Sequence, residues 1–380
     1  MELCNGSGVC RKKSGGTMCP SYMATLDERH STRGRGNALR LAITGQTGGT
    51  PGAPAWNDPE TLETLNLCLS CKACKTECPS NVDISKYKAE YLAQSYKARG
   101  GAPLKALVFG NVRLLNRMGS AFAPVSNWVA NSMPVRLIAD LALGLSSKRT
   151  LPAFAPSLYR RVKPAEEDGR PVVLLYADCF TAFNEPGIGV ATIRVLESFG
   201  YRVVVLDAGC CSRAAISTGL LDSARRDALT TAGQLLAAMD KHRAVGVVVC
   251  EPSCLSAIKD DWLRLKLSVQ TEQLPRLAEV SFLPEEFIDR KWESHPRRAA
   301  FKQSPPKSVL LHAHCHQKAL WGAETSARLL RRVFGDRLKV LDTGCCGMAG
   351  SFGYTADRYE LSMKIGELSL FPALRESPDA

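Results

Sequence analysis

The stretch Cys68-Leu-Ser-Cys71-Lys-Ala-Cys74-Lys-Thr-Glu-Cys78-Pro79 decides how this chain is organised. Its first three cysteines are two residues apart, and the fourth follows after three residues and precedes a proline. This spacing is typical of a loop that wraps three thiolates around one [4Fe–4S] cubane, while the fourth cysteine binds another cluster. A four-cysteine zinc site is the alternative, but such sites usually consist of two separated Cys-x-x-Cys pairs. The sequence therefore favours a two-cluster domain.

A second set of cysteines occurs at the start of the chain, with Ser7 where the two-residue spacing would place a cysteine. In two-cluster proteins the fourth cysteine of each set binds the cluster of the other set. On that arrangement the sequence predicts one complete set of four thiolates and one set that lacks a thiolate. The complete set consists of Cys19, Cys68, Cys71 and Cys74, and the incomplete set consists of Cys4, Cys10 and Cys78. The incomplete set could hold a [3Fe–4S] cluster or a [4Fe–4S] cubane with a non-cysteine ligand, and the sequence leaves both open.

Composition narrows the class of protein. The chain has 380 residues, enough for two or three domains, and its 15 cysteines fall in metal-ligand spacings rather than in the pattern of a small secreted protein. We expect no signal peptide, no membrane-spanning helix and a cytoplasmic location. The net charge of +12 omits thiolates and clusters, and the basic residues are scattered, so we expect no nucleic-acid partner. Association with an acidic protein or with the inner face of the membrane stays open.

The predicted fold class is mixed α and β. A helical, ferredoxin-like [4Fe–4S] domain is predicted at residues 1–100, where Ser31 or Thr32, and later Asn81 or Asp83, can cap helices. A helical connector follows at residues 101–165. Its apolar stripe is expected to pack on the protein itself, with a membrane surface as the alternative. That stripe consists of Leu104, Leu107, Val108, Val112 and Leu115.

From Pro171 onward, short apolar runs alternate with helical patterns. The runs 172–176, 203–206 and 245–249 predict buried parallel strands, with helices at 188–199 and 225–239 between them. Cysteines follow each strand, and the carboxyl ends of parallel strands meet at one edge of a sheet. We therefore expect five thiols to converge, those of Cys179, Cys210, Cys211, Cys250 and Cys254.

The pattern then repeats within the chain. Residues 308–315 resemble 172–179, and residues 337–346 resemble 201–211, which indicates a duplication covering 166–300 and 301–380. The second copy carries the cysteines Cys315, Cys345 and Cys346. Its third strand would fall beyond Ala380, so the sequence predicts a truncated copy, or one end of a split protein, with an exposed apolar edge.

Paired cysteines that follow a lone cysteine resemble the cysteine-rich CCG domain. Heterodisulfide reductase subunits, anaerobic glycerol-3-phosphate dehydrogenase and glycolate oxidase iron–sulfur subunits carry this domain. The resemblance implies that the five cysteines hold a non-cubane iron–sulfur cluster or zinc, although Ser212 stands where the family has glycine. In the second copy, His312, His314 and His316 could add imidazole ligands beside Cys315, provided that the strand continues that far.

Longer motifs resemble the iron–sulfur half of bacterial FAD-linked dehydrogenases that oxidise D-2-hydroxy acids such as D-lactate or D-2-hydroxyglutarate. The resemblance covers nearly the whole chain, and in that family a flavin domain precedes the first cysteine set. We therefore expect FAD on a partner domain or subunit, or a flavin half that has been lost. The motifs are Met18-Cys-Pro-Ser-Tyr-Met-Ala-Thr25, Ser31-Thr-Arg-Gly-Arg35, Glu251-Pro-Ser-Cys-Leu255, His314-Cys-His-Gln-Lys-Ala-Leu320 and Gly344-Cys-Cys-Gly-Met-Ala-Gly-Ser-Phe-Gly353.

The sequence thus predicts an electron-transfer unit with no catalytic residue of its own. His30 is the nearest candidate for a general base, and we expect it to be a surface residue. Electrons would pass from the flavin partner through the clusters to a quinone or another carrier. A thiol or disulfide reductase of the heterodisulfide-reductase type is the first alternative, and a non-catalytic fragment with structural zinc is the second.

Overall fold

A computed structural model describes residues 4–48, 50, 52–164, 166–267, 272–301 and 306–378. It confirms the mixed α and β class, with a helical N-terminal part followed by two units that each contain a parallel sheet. In these described ranges, no helix combines the length and apolar character needed to cross a bilayer.

The N-terminal domain is helical because polar caps and apolar faces recur at helical spacing. Its helices are α1 (Pro20–Thr25), α2 (Thr32–Ile43), α3 (Pro59–Asn66), α4 (Cys74–Glu77) and α5 (Ile84–Ala98). Ser31 caps α2 by accepting a hydrogen bond from the Gly34 amide, and Asp83 caps α5 by accepting one from Lys86. One predicted residue of each pair is therefore confirmed as a cap. Met18, Leu39, Leu65 and Tyr91 form a core around the cysteines.

The connector contains four helices before a short fifth one. They are α6 (Leu104–Gly110), α7 (Val112–Ala121), α8 (Ala123–Asn131), α9 (Met133–Leu143) and α10 (Leu158–Arg161). The prediction that its apolar stripe packs on the protein holds only in part, because Leu104 and Leu107 are 58% and 44% exposed while Val112 packs against the core of the first α/β unit. The buried face consists instead of small and polar residues. These are Ala106, Gly110, Arg113, Asn116 and Ser120.

The first α/β unit is built on the predicted parallel sheet. Its strands are β1 (Val172–Tyr176), β2 (Arg202–Leu206), β3 (Val247–Val249) and β4 (Ser281–Phe282), in the order β2-β1-β3-β4. Leu174 pairs with Val204 on one side and Val247 on the other. The helices are α11 (Cys179–Phe183), α12 (Pro186–Ser198), α13 (Arg213–Ser217), α14 (Leu221–His242), α15 (Pro252–Ser256), α16 (Gln273–Glu279) and α17 (Pro284–Arg290). Side chains of successive strand residues enter two separate cores, so both faces of the sheet are covered.

The second unit is smaller. Two parallel strands, β5 (Val309–Leu311) and β6 (Leu338–Val340), are accompanied by α18 (Cys315–Leu320), α19 (Glu324–Phe334), α20 (Tyr359–Glu367) and α21 (Leu370–Arg375). In the described part of the chain its sheet has only these two strands, and Val340 is 38% exposed. After the paired cysteines the chain returns to the N-terminal domain, where α20 packs against α1. Phe352 and Ile365 thereby share a small core with Ala24 and Leu69.

Candidate metal centres

The four thiols of the complete set lie together in the N-terminal core. We call Cys19, Cys68, Cys71 and Cys74 the cubane set. Burial, and after it the proximity of Cys19 and Cys68, raises the pKa of the Cys74 thiol. Burial is also the main reason why the pKa of Cys19 rises to about 11. Crowded, buried thiols resist ionisation until a cation compensates their charge, and an iron–sulfur cluster bound by thiolates does so.

The loop between these thiols turns sharply. Ser70 and Lys72 have φ angles of 52° and 63°, in the left-handed region that non-glycine residues rarely adopt. The turns let Cys68, Cys71 and Cys74 surround one volume. The donor chemistry of the cubane set fits a cubane, because all four of its donors are sulfur and a cubane would need one thiolate at each iron corner.

Positive charge is concentrated beside Cys68. Although burial opposes it, the charges of Arg35 and Lys88 lower the pKa of this thiol. Burial in turn lowers the pKa of Lys88 to about 8, and its ammonium donates to the Cys68 carbonyl oxygen at 2.7 Å. Thr32 lies 2.9 Å from the Cys19 sulfur. These groups favour a thiolate and stabilise the negative charge of a bound cluster.

The incomplete set is more accessible. Cys4 is exposed, and Cys10 and Cys78 are half-buried. Arg33 faces both Cys4 and Cys10, while Cys78 contacts the same apolar core as Cys10. The structure thus places Cys10 and Cys78 at one core and Cys4 nearer the surface.

A single carboxylate joins the two cysteine segments. Glu77 accepts hydrogen bonds from the Thr17 amide at 2.8 Å and the Met18 amide at 3.2 Å, and it pairs with Lys12. Because Glu77 lies between Cys74 and Cys78 in α4, these bonds hold the segment before Cys19 against the second cysteine run. The exchange of fourth ligands needs such an arrangement.

At the first α/β unit, four of the five predicted thiols converge. We call Cys179, Cys210, Cys211 and Cys254 CCG site 1. The sulfurs of Cys211 and Cys254 are 3.1 Å apart, Cys210 contacts Cys211, and Cys179 lies beside Cys210. Burial, and after it the proximity of Asp178 and Cys210, raises the pKa of the Cys179 thiol.

The fifth predicted thiol, that of Cys250, has a hydroxyl neighbour. Its sulfur lies 3.4 Å from the Thr192 hydroxyl of α12, and its side chain packs on the same core as Cys179. Because α15 begins only at Pro252, Cys250 and Cys254 do not share a helix, so their spacing does not place them on one face.

Backbone and side-chain contacts fix CCG site 1. The Trp262 indole donates to the Cys211 carbonyl at 3.0 Å, and Thr231 donates to that of Cys210 at 3.0 Å. Ser212 has φ 65°, and Gly347, which follows the second cysteine pair, has φ 86°. Both copies therefore need a left-handed residue after Cys-Cys, which explains the family glycine that serine replaces here.

In the second unit, three thiols and one imidazole lie together. We call Cys315, Cys345, Cys346 and His312 CCG site 2. Cys345 contacts both other thiols, and His312 contacts Cys346. Cys345 also lies close enough to Cys71 to raise the pKa of that thiol, after the larger effect of burial. CCG site 2 is therefore next to the cubane set.

The other two predicted histidines do not join CCG site 2. Since β5 ends at Leu311, strand alternation does not extend to them. His316 lies 3.0 Å from the Ser70 carbonyl and 3.1 Å from the Ser256 hydroxyl, and His314 caps α18 by accepting from the His316 amide. His30, expected at the surface, is buried and hydrogen-bonded to Thr25.

Several charged residues join the cubane loop to the α/β units. Lys72 is completely buried and pairs with Asp260 at 3.0 Å and Asp261 at 2.7 Å. Arg213 donates to the Ser70 carbonyl at 2.9 Å. Sequence reasoning missed them, although the position of Lys72 between two ligands was a signal. Across the described ranges, no three His, Cys, Asp or Glu side chains are arranged to hold a single metal ion.

Two family models match the chain. The 4Fe-4S dicluster domain matches residues 3–83, and the Cysteine-rich domain matches residues 173–259. They coincide with the domain that holds the cubane set and with the unit that holds CCG site 1. No solved structure matches the chain significantly.

Several curated proteins are similar to most of the chain. A subunit of anaerobic glycerol-3-phosphate dehydrogenase from Escherichia coli K12 is 30% identical over 279 residues, covering 72% of this chain and 68% of the relative. D-2-hydroxyglutarate dehydrogenase of the same strain is 26% identical over 99% of this chain, but only 40% of that protein is covered. A probable glycolate oxidase iron–sulfur subunit of Bacillus subtilis is 23% identical over 91% of this chain and 79% of the relative. The chain therefore belongs to the iron–sulfur protein family that includes this anaerobic glycerol-3-phosphate dehydrogenase subunit, with a 4Fe-4S dicluster domain and a cysteine-rich domain.

Proposed function

We propose that this chain is the electron-transfer unit of an FAD-linked dehydrogenase that oxidises a D-2-hydroxy acid. The FAD and the substrate site lie on a separate domain or subunit. The alignment with D-2-hydroxyglutarate dehydrogenase over 99% of the chain supports the hydroxy-acid class. Glycerol 3-phosphate is the competing substrate, because the relative with 30% identity is a subunit of its dehydrogenase.

The observation that carries the proposal is the continuity of the thiol sites. The Ser70 carbonyl in the cubane loop accepts from Arg213 of the first α/β unit and contacts His316 of the second. Cys345 of CCG site 2 neighbours Cys71 of the cubane set. Bound iron–sulfur clusters exchange single electrons, and the protein's part is to hold their ligands close together in a buried, rigid frame.

We assign ligands as follows. The cubane set holds one [4Fe–4S] cluster, and Cys4, Cys10 and Cys78 hold a second cluster, either [3Fe–4S] or a cubane with a non-cysteine ligand. CCG site 1 holds a non-cubane iron–sulfur cluster or zinc. Its donors are all sulfur, and the thiols of Cys179, Cys211 and Cys254 are buried, which suits either group.

We further propose that the connector rests on the inner face of the membrane and that a quinone is the acceptor. Large apolar side chains of α7–α9 face solvent, among them Phe122 at 72%, Trp128 at 74% and Leu141 at 92% exposure. Residues 101–164 contain nine Lys or Arg and one Asp. Exposed apolar helices with excess positive charge suit an anionic lipid surface, and a tryptophan suits its interfacial layer.

The test is anaerobic reduction of the bound clusters. The chain is mixed with its flavin partner and, in separate samples, with D-lactate, D-2-hydroxyglutarate or glycerol 3-phosphate, and cluster absorbance is followed. Bleaching with one of the two hydroxy acids, and only when the flavin partner is present, is expected. Bleaching with glycerol 3-phosphate and with neither hydroxy acid would make glycerol 3-phosphate the substrate. Oxidation of a hydroxy acid by the isolated chain, without the flavin partner, would refute the electron-transfer role.

One observation favours a second function. The Cys211 and Cys254 sulfurs are in contact at 3.1 Å, which is an arrangement that a thiol or disulfide reductase could use. In that case a thiol substrate would reduce the clusters without any flavoprotein. The same spectroscopic assay therefore separates the two functions.

A further inference from the structure

A cavity lies between the connector and the first α/β unit. Its volume is about 470 Å³, within the range of small-molecule sites. Helix α7 forms one wall through Arg117, Ser120 and Ala121, and α10 adds Tyr159 and Arg160. Phe183 at the end of α11 and Asp207 after β2 complete it.

The inner wall of this cavity adjoins CCG site 1. Phe183 lies four residues after Cys179 in the same short helix. Tyr159 donates to the carbonyl of Ala177, two residues before that cysteine, at 3.4 Å. Arg113 donates to the same carbonyl at 3.4 Å, and its charge favours the thiolates of Cys179 and Cys210. One layer of side chains thus separates the cavity from these thiols.

The outer wall adjoins the exposed apolar surface. Met118 and Phe122, 63% and 72% exposed, follow the cavity residues Arg117 and Ala121 along the chain. A ligand with an apolar tail could leave its tail on that surface while its head enters the cavity.

The cavity's chemistry suits a ring that carries carbonyl groups. Phe183 and Val205 provide apolar wall, while the guanidinium groups of Arg117 and Arg160 are hydrogen-bond donors. The Arg117 side chain is 66% exposed, and its nearest carboxylate lies 3.7 Å away, so it has free donors.

We propose that this cavity binds the head group of a lipid-soluble quinone, an inference that rests on the proposed function. Reduction of one quinone to its quinol consumes two electrons and two protons. Oxidation of one hydroxy acid at the flavin partner releases the electrons, and solvent at the open mouth supplies the protons. The cavity's place between CCG site 1 and the connector brings the acceptor from the bilayer to the metal-binding thiols.

The test measures binding rather than turnover. The cluster-loaded full chain in detergent is exposed to a photoreactive azido-quinone with a short tail, and the labelled peptides are identified by mass spectrometry. We expect label in α7 or in the α10–α11 segment, and protection by unlabelled quinone. Label confined to other segments would overturn the assignment.

Two variants and a control sharpen the test. Ala121→Trp places an indole at the exposed mouth and is expected to abolish labelling, whereas Ala237→Trp makes the same change on α14, away from the cavity. Arg117→Met removes a guanidinium that has free donors at the mouth and should weaken binding by about fivefold. Equal labelling of all four proteins would refute the site.

Cluster reduction by the flavin partner separates failure of this proposal from failure of the relay. Ala121→Trp should accept electrons from the partner as fast as the wild type does. If the wild type is not reduced, the relay is wrong whatever the labelling shows. If it is reduced but quinone does not label the cavity, only this inference is wrong.

Discussion

The ammonium nitrogen of Lys72 lies 3.0 Å from the carboxylate of Asp260, and the lysine side chain has no exposed surface. This pair joins the cubane loop to the first α/β unit across 188 positions of sequence. Asp260 also pairs with Lys75 and Arg264, and after the opposing effect of burial these contacts, led by Lys72, lower its pKa to about 2.

Replacing Asp260 by Asn should destabilise the protein by about 3 kcal/mol, because a buried lysine then loses a charged partner. Chemical unfolding of the wild type and the variant measures this difference. Lys75→Met is the matched control, because its side chain is 21% exposed, and it should cost about 1 kcal/mol or less. Equal losses would show that burial of the pair does not matter.

Cys71→Ser should remove one cluster. We expect the iron content to fall by about four atoms per chain and one cubane signal to disappear from the electron paramagnetic resonance spectrum. The incomplete set should stay partly occupied, because none of its cysteines changes. A variant with unchanged iron content would contradict the ligand assignment.

CCG site 1 should depend on Cys254 and not on Cys250. Cys254→Ser removes a sulfur that is 3.1 Å from Cys211, so bound metal at this site should be lost. Cys250→Ser alters a side chain that contacts Thr192, so metal should be retained. Metal analysis of both variants distinguishes the two cysteines. Loss of bound metal in both variants would show that all five cysteines are ligands.

The connector should bind anionic vesicles. Trp128→Glu with Leu141→Glu should abolish cosedimentation with phosphatidylglycerol vesicles and change the free energy of unfolding by less than about 0.5 kcal/mol, because both side chains are exposed. Leu374→Glu, which alters a 46% exposed leucine on α21, should leave binding intact. If the double variant still cosediments with the vesicles, the connector is not the membrane-binding surface.

Substitutions at the two residues that follow the cysteine pairs, Gly347 and Ser212, should change the stability of the protein in opposite directions. Gly347→Ala places a Cβ atom 2.2 Å from the Ser362 carbonyl oxygen at φ 86°, so a loss of at least about 2 kcal/mol is expected. Ser212→Gly should instead stabilise the backbone of its left-handed turn by up to about 1 kcal/mol. Chemical unfolding of both variants measures these changes. A Gly347→Ala protein as stable as the wild type would contradict the prediction.

Helix caps and buried strands could be predicted from the sequence because they depend on neighbouring residues. The caps Ser31 and Asp83 and the strand 172–176 follow from polar capping and continuous apolar runs, both of which depend on nearby residues. The convergence of Cys179, Cys210 and Cys211 follows from parallel strands that end at one edge.

The features that the sequence did not predict depend on contacts between residues that are distant in the chain. The contact of Cys250 with Thr192 joins residues 58 positions apart, and the solvent-facing side of α6 depends on its small residues, since Gly110 packs against Leu220. No local pattern distinguishes an apolar stripe that faces a core from one that faces outward. The partners of Lys72 lie too far away in sequence to be inferred without the fold.

The contact between His316 and Ser70 spans 246 positions, and Arg358 reaches Asn66 over 292. Such distant contacts form slowly, because the loop between them must close first. During synthesis the cubane loop leaves the ribosome long before the residues that will cover it. A cluster inserted before the last quarter of the chain has folded would occupy a half-covered ligand loop. Its protection from oxygen and solvent would then depend on the folding of that quarter.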